Sequence, residues 1–190
     1  MKRNTLIMLF GVLVGCASMP ETEITGSNNY IQMPHFSFVV PSNQGWRLLK
    51  RVEGLEVVFL VKRFGYRTCQ MEMGRISVSD PKRTWSAKRL ADDVRDVWKN
   101  DVIKKGTLLD VAMGEETVAD KNYYTMTYAA SADGGVTRGW EYVYIPRESN
   151  NEYFIYALYS EGTPATLPFT RQAYCKEEFL NALKTLRVNQ

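Results

Sequence analysis

The chain has 190 residues, of which 45% are hydrophobic, 12% aromatic and 24% charged. That is enough apolar material for the core of one globular domain, and it excludes a disordered chain, a collagen-like chain and a polytopic membrane protein. Lys and Arg number 24 against 21 Asp and Glu, too even a balance for an electrostatic nucleic-acid binder, and one histidine with three cysteines leaves little for soft-ligand metal sites.

Residues 1–16 read MKRNTLIMLFGVLVGC. Lys2 and Arg3 precede an apolar run over residues 6–14, the size of a signal-peptide core and far short of the ~20 residues a membrane-spanning helix needs. Leu13-Val14-Gly15-Cys16 resembles a bacterial lipobox: an aliphatic residue, two tolerant positions ending in a small one, then cysteine. The small residue admits the peptidase. The Cys16 thiol takes a diacylglycerol, and cleavage between Gly15 and Cys16 frees an amine for a further acyl chain. An ordinary secretory signal with an unrelated cysteine is the alternative. A lipobox implies an envelope protein held to the membrane by its N-terminal acyl chains, because each buried CH₂ contributes ~0.8 kcal/mol and a single chain binds only marginally. Ala17 follows the cysteine where an aspartate would signal retention. In lipoproteins of two-membrane bacteria this implies the outer membrane, on its periplasmic face. Removing Lys2 and Arg3 from the 24 leaves 22 basic against 21 acidic residues.

Residues 16–34 then read as the lipidated cysteine and a flexible tether: polar, bracketed by Pro20 and Pro34, with Gly26-Ser27-Asn28-Asn29 inside. Such a tether would hold the domain roughly 20–25 Å from the bilayer at ~5–6 Å × √n. Residues 35–190 remain as one domain.

Residues 36–40 form a strand ended by Pro41, and 46–52 a second one after a turn. Residues 55–62 (LEVVFLVK) are almost wholly apolar, as in a strand covered on both faces. Over 69–79 the apolar positions run Cys69, Met71, Met73 and then change parity to Ile76 and Val78, which predicts a bulge at Gly74. Residues 85–105 read as a helix with Leu90, Val94, Val97, Trp98 and Val102 in one stripe, capped by Thr84 or Ser86 and ended by Lys104-Lys105-Gly106. Four strands follow, at 108–119, 122–131, 136–146 and 152–160, with Asp133-Gly134-Gly135 and Ser149-Asn150-Asn151 as hairpin punctuation. A last helix over 171–186 places Cys175, Phe179, Ala182, Leu183 and Leu186 on one side. Short hairpins imply an antiparallel sheet, so the fold class is α+β: a central, mainly antiparallel sheet of about seven strands with a mid-chain and a C-terminal helix on its faces.

The opening Phe36-Ser37-Phe38-Val39-Val40-Pro41 with Trp46, the mid-chain helix and the closing Phe179-Leu180-x-x-Leu183-Lys184-x-Leu186-Arg187-Val188 resemble the PsbP-like family. That family includes extrinsic subunits of photosystem II, Ran-binding Mog proteins and bacterial lipoproteins. The resemblance covers residues 35–190 and implies an α/β/α sandwich and a non-enzymatic partner of a larger assembly. It carries over no catalytic residue.

His35 is the only histidine, and a turn or edge role beside Pro34 explains it. There is no G-x-S-x-G, H-E-x-x-H, C-x-x-C, Walker A or G-x-G-x-x-G, so neither a catalytic residue nor a cofactor or metal ligand is expected. Asp92, Asp93, Asp96 and Asp101 could gather a hard cation, but Arg95, Lys99 and Lys105 at helical pair spacing make a salt-laced face the simpler reading. Lys62-Arg63, Arg67, Lys82-Arg83 and Lys88-Arg89 are either a normal soluble surface or contacts to anionic headgroups.

With Cys16 acylated, Cys69 and Cys175 remain, and an oxidising periplasm favours a disulfide between them; two buried free thiols are the alternative. Eight of the eleven tyrosines fall within 122–160, and Trp140, Tyr142 and Tyr144 project from one face of one strand. Either they form a partner-binding patch or they are an internal face finished by the loop at 162–169. The expected function is a lipid-anchored, non-catalytic envelope lipoprotein whose periplasmic domain binds a protein or envelope component. A small-ligand carrier and a carboxylate-based hydrolase are the alternatives.

Overall fold

Five strands of ten or more residues, rich in aromatic and β-branched side chains, dominate the described part of the computed structural model, which comprises residues 21–77, 106–132, 135–150, 152–164 and 173–189. In chain order the strands are β1 (Thr22–Glu23), β2 (Tyr30–Gln32), β3 (Phe36–Val39), β4 (Arg47–Val52), β5 (Val57–Phe64), β6 (Arg67–Ser77), β7 (Gly106–Val118), β8 (Lys121–Ala132), β9 (Gly135–Tyr144), β10 (Tyr153–Pro164) and β11 (Arg187–Val188). Among the described residues one α-helix, α1 (Lys176–Lys184), precedes β11. Among the described residues the strands form an eight-stranded sheet, β1-β4-β5-β6-β10-β9-β8-β7, and a three-stranded sheet, β11-β3-β2. Every pairing is antiparallel. The protein is thus mostly antiparallel sheet with a helix near its C-terminus, and has less helix here than an α/β/α sandwich. The helix expected over 85–105, with its aspartates, lies outside the described residues.

β10 reads YFIYALY from Tyr153, apolar at every position, and both its faces are used. Tyr153, Ile155, Ala157 and Tyr159 point into the main core cluster, and Phe154 joins a separate cluster on the other face. The main cluster also takes Ile31, Met33, Phe36 and Phe38 from the small sheet and Phe179, Ala182, Leu183 and Leu186 from the helix segment. The apolar stripe of α1 therefore packs as helical spacing requires. The helix begins at Lys176, later than its periodicity suggests, because the preceding turn is held by β10: the Tyr174 N–H donates to Glu161 and the Cys175 N–H to the Tyr159 hydroxyl, 2.9 Å away. At the other end the Thr185 hydroxyl donates to the Ala182 carbonyl at 2.7 Å and accepts the Val39 N–H at 2.8 Å, which fastens the helix to β3.

Three sequence expectations change. Much of the stretch read as a flexible tether is folded: from Glu21 onward it supplies β1 and β2, and Ile24, Ile31 and Met33 are buried. Its few apolar residues are too widely spaced to register as a period. Residues 36–40 join the small sheet and not the central one. Gly74 is no bulge, since β6 pairs in continuous register with β10 through it and with β5 up to it. The change of parity arises because Ile76 packs on the opposite face from Cys69, Met71 and Met73, against the cluster of Val143 and Phe154.

Gly74 serves another purpose. It pairs with Tyr156 across the ladder, and Gly139 pairs with Tyr128; in each case the tyrosine ring occupies the space a β-carbon would take. At Gly139 an added Cβ would meet Tyr128 Cζ at 2.0 Å, and at Gly74 Tyr156 Cε1 at 2.7 Å. Gly139→Ala should therefore cost about 2–3 kcal/mol by overpacking. In a Tyr128→Ser background the same change should cost well under 1 kcal/mol. Urea unfolding of the four proteins in that cycle checks both values, and an additive cycle would show that the ring does not need the glycine.

Candidate functional site

Two faces of the large sheet carry the candidate groups. On the helix-covered face lie the residues singled out from sequence. A disulfide joins Cys69 of β6 to Cys175 before α1, with Cα atoms 6.4 Å apart and an S–S distance of 2.15 Å. Beside it, Trp140 stacks on Tyr159 with ring centroids 5.3 Å apart, Tyr159 stacks on Phe179 at 5.5 Å, and Tyr142 packs on Phe179 at 5.4 Å. Tyr142 is 1% exposed and donates its hydroxyl to Glu116, while Trp140 and Tyr144 are half-buried against the same core. Of the candidate partner patch at Trp140, Tyr142 and Tyr144, Tyr142 is a core side chain with no surface to offer, while Trp140 and Tyr144 pack half-buried against that core. The sheet is wider than one helix can cover, but the small β11-β3-β2 sheet packs beside α1, and its strands β2 and β3 come from segments read as tether and as central sheet.

His35 is committed to structure. Its Nδ1 lies 2.8 Å from Glu56 Oε1, its backbone N–H donates to the same carboxylate, and Arg75 Nη1 reaches Glu56 at 2.9 Å. Lys62 is bound to Glu178 at 2.7 Å, Arg67 lies over the Tyr174 ring at 4.0 Å, and Arg63 pairs with Glu21. Cys16, Gly15 and the basic pairs at 82–89 lie outside the described residues.

The opposite face holds a pair of carboxyl groups that sequence inspection missed. Leu158 of β10 pairs with Glu72 of β6 on one side and Glu141 of β9 on the other. Directly paired residues share a face, so Glu72, Leu158 and Glu141 form one row, with the two Cα atoms about 10 Å apart at ~4.8 Å per strand. Met126 extends the row beyond Glu141 and Phe59 extends it beyond Glu72. Tyr156, lying over Gly74, donates its hydroxyl to Glu72 Oε1 at 2.5 Å. Glu141 is 2% exposed, and its Oε2 is buried without a hydrogen-bond partner.

Charge is costly in such surroundings. Burial pushes the Glu72 carboxyl up to about 7 against the pull of the Tyr156 hydroxyl. Burial, and then the charge of Glu72, push Glu141 up to about 7 as well. The Tyr128 and Tyr156 phenols are held far above their ordinary values, first by burial and then by these two carboxylates. Near neutrality the row therefore holds and releases protons. Paired carboxyls also serve glycoside hydrolysis, but there a sugar and a water must stand between them. Here Leu158 fills that position and Glu141 is closed from solvent. The legible signal was β10 itself: a strand apolar at every position means both faces are covered, so a glutamate on the second face is a buried glutamate.

Among the described residues there is no group of three or more His, Cys, Asp or Glu side chains placed to hold a metal, and no helix long and apolar enough to cross a membrane.

No protein-family model and no curated protein sequence matches the chain. Its structure is similar to several solved ones. A Bacteroides thetaiotaomicron crystal structure aligns at TM-score 0.48 with 13% identity over 85% of this chain, which spans 48% of that longer protein. LpqN of Mycobacterium tuberculosis, described as involved in cell envelope biogenesis, aligns at TM-score 0.47 with 9% identity, covering 90% of this chain and 91% of its own. The cyanobacterial PsbP of Synechocystis aligns at TM-score 0.54 with 15% identity, over 94% of this chain and all of its own. At that identity the likeness concerns architecture: the fold is PsbP-like.

Proposed function

We propose that this is a lipid-anchored, non-catalytic envelope protein, acylated at Cys16, whose folded domain faces the periplasm and binds a protein or envelope component there. The observation that carries the reading is the lipobox at residues 13–16. The Cys69–Cys175 bond supports it, since structural disulfides persist in oxidising compartments. The chemistry of the described faces also supports a binding role over turnover: the single histidine is tied to Glu56, and the carboxyl row is closed by Leu158. Outer-membrane attachment follows from Ala17 after the acylated cysteine.

Cys16→Ser should leave an uncleaved precursor without the mass of the acyl chains. Intact-mass analysis of protein from membranes decides the matter, and an unmodified Cys16 in the wild-type protein would end this reading.

A further inference from the structure

Where the folded chain begins has a geometric consequence for an anchored protein. Thr22 pairs with Leu48 and Glu23 with Arg47, so the first described strand lies six residues after Cys16. Six residues span at most about 20 Å, whatever conformation they take. Glu21 is fastened to the domain by Arg47, at 3.6 Å, and by Arg63. β1, which forms the edge of the large sheet beside β4 and β5, is thus the described strand closest along the chain to the acylated residue.

That edge has the chemistry of a headgroup contact. Arg47 and Arg63 keep side-chain exposures of 53% and 55% despite sharing Glu21. Lys50 is exposed on the same face of β4, so three exposed cations stand there against Glu21 and Glu23. At the same end of the sheet, the two-residue turn Gly65-Tyr66 between β5 and β6 presents Tyr66 at 81% exposure. A tyrosine flanked by arginines is the residue set found at membrane–water interfaces, where the ring sits at headgroup level and the cations meet anionic lipid. The attraction falls off over a Debye length of about 8 Å, so it needs a short linker.

We propose that this edge, through Arg47, Arg63 and Tyr66, rests on the anionic phospholipid headgroups of the membrane that holds the acyl chains. The domain then lies against the bilayer with a fixed edge down, and its far strands β7 and β8 point into the periplasm. This orientation rests on the lipid-anchor reading.

The test uses the full lipidated chain, purified from membranes and reconstituted into phosphatidylcholine vesicles with or without phosphatidylglycerol, each carrying a headgroup spin label. The emission added by Tyr66→Trp, taken as the difference from the unsubstituted protein, reports contact. About half or more of that emission should be quenched in phosphatidylglycerol vesicles, and quenching should fall several-fold when Arg47→Gln and Arg63→Gln are combined with it. Full flotation with the vesicles but no quenching, or quenching indifferent to phosphatidylglycerol, overturns the orientation and leaves the anchor standing. Failure to float overturns the anchor, and the orientation falls with it.

Discussion

Cys69→Ser together with Cys175→Ser lowers the stability of the domain by about 4 kcal/mol, the largest effect expected of any small change here. The bond closes a loop of 106 residues. Opening it returns that closure entropy to the unfolded chain, an effect of about 4–5 kcal/mol for loops of this size in the chain-entropy account. The folded state should survive, since Phe179, Ala182 and Leu183 still bury the helix stripe and the Tyr159 hydroxyl still accepts the Cys175 N–H. Urea unfolding of the oxidised protein, the reduced protein and the double variant measures the loss. Agreement between the last two is expected, and a loss under 1 kcal/mol would assign the bond no structural role.

The second large effect concerns pH. Glu72 and Glu141 both sit near 7 in the folded protein against an ordinary value of 4.5. Between those values the folded state binds more protons than the unfolded one, so stability falls as pH rises from about 4.5 and levels off above about 7. This is the reverse of a salt-bridged carboxylate, whose contribution is lost on acidification. Each group contributes on the order of 3 kcal/mol across the window, less to the extent that the pair shares one charge. Glu141→Gln keeps the shape, removes the ionisation, and should raise stability at pH 8 by about 2 kcal/mol while leaving pH 5 nearly unchanged. Denaturation midpoints at pH 5 and 8 for both proteins test this, and a variant whose pH profile parallels the parent would show that Glu141 is already neutral throughout.

The regular elements were legible where side-chain period and length agreed. The stripe Cys175, Phe179, Ala182, Leu183 and Leu186 packs as a helix segment should, and the alternation of Cys69, Met71 and Met73 lies on one face of β6. Sequence failed where an element is short or where both faces are covered. β1 and β2 are two and three residues long, and no period can be seen in so few positions. Ile24, Ile31 and Met33 are core residues spaced among glycine, asparagine and serine, a composition that reads as linker. That error propagated: without the small sheet, the aromatic face of Trp140, Tyr142 and Tyr144 looked too wide to cover. The carboxyl row stayed hidden for a different reason. Glu72 and Glu141 take the outward positions of strands whose other face is plainly core, and outward glutamates normally mean solvent. Only the register, which places Leu158 between them, shows that they share an apolar row.

The closing strand β11 constrains how the protein is made. It pairs with β3 through Arg187 opposite Ser37 and Val188 opposite Phe36, and Asn189 reaches back to the Met33 carbonyl at 2.8 Å. Ser37 and Asn189 are 152 positions apart, so one edge of β3 waits for nearly the whole remaining chain. An emerging polypeptide cannot complete this sheet piecemeal; β3 finds its second neighbour only once the chain has been made as far as Val188. Pairing over so long a sequence separation folds slowly, because the loop must close before its contacts form. It also makes the final few residues disproportionately valuable. A deletion ending at Thr185 would expose the Phe36–Val39 edge as a free pairing site, the kind of open strand through which one copy of a chain sticks to the next.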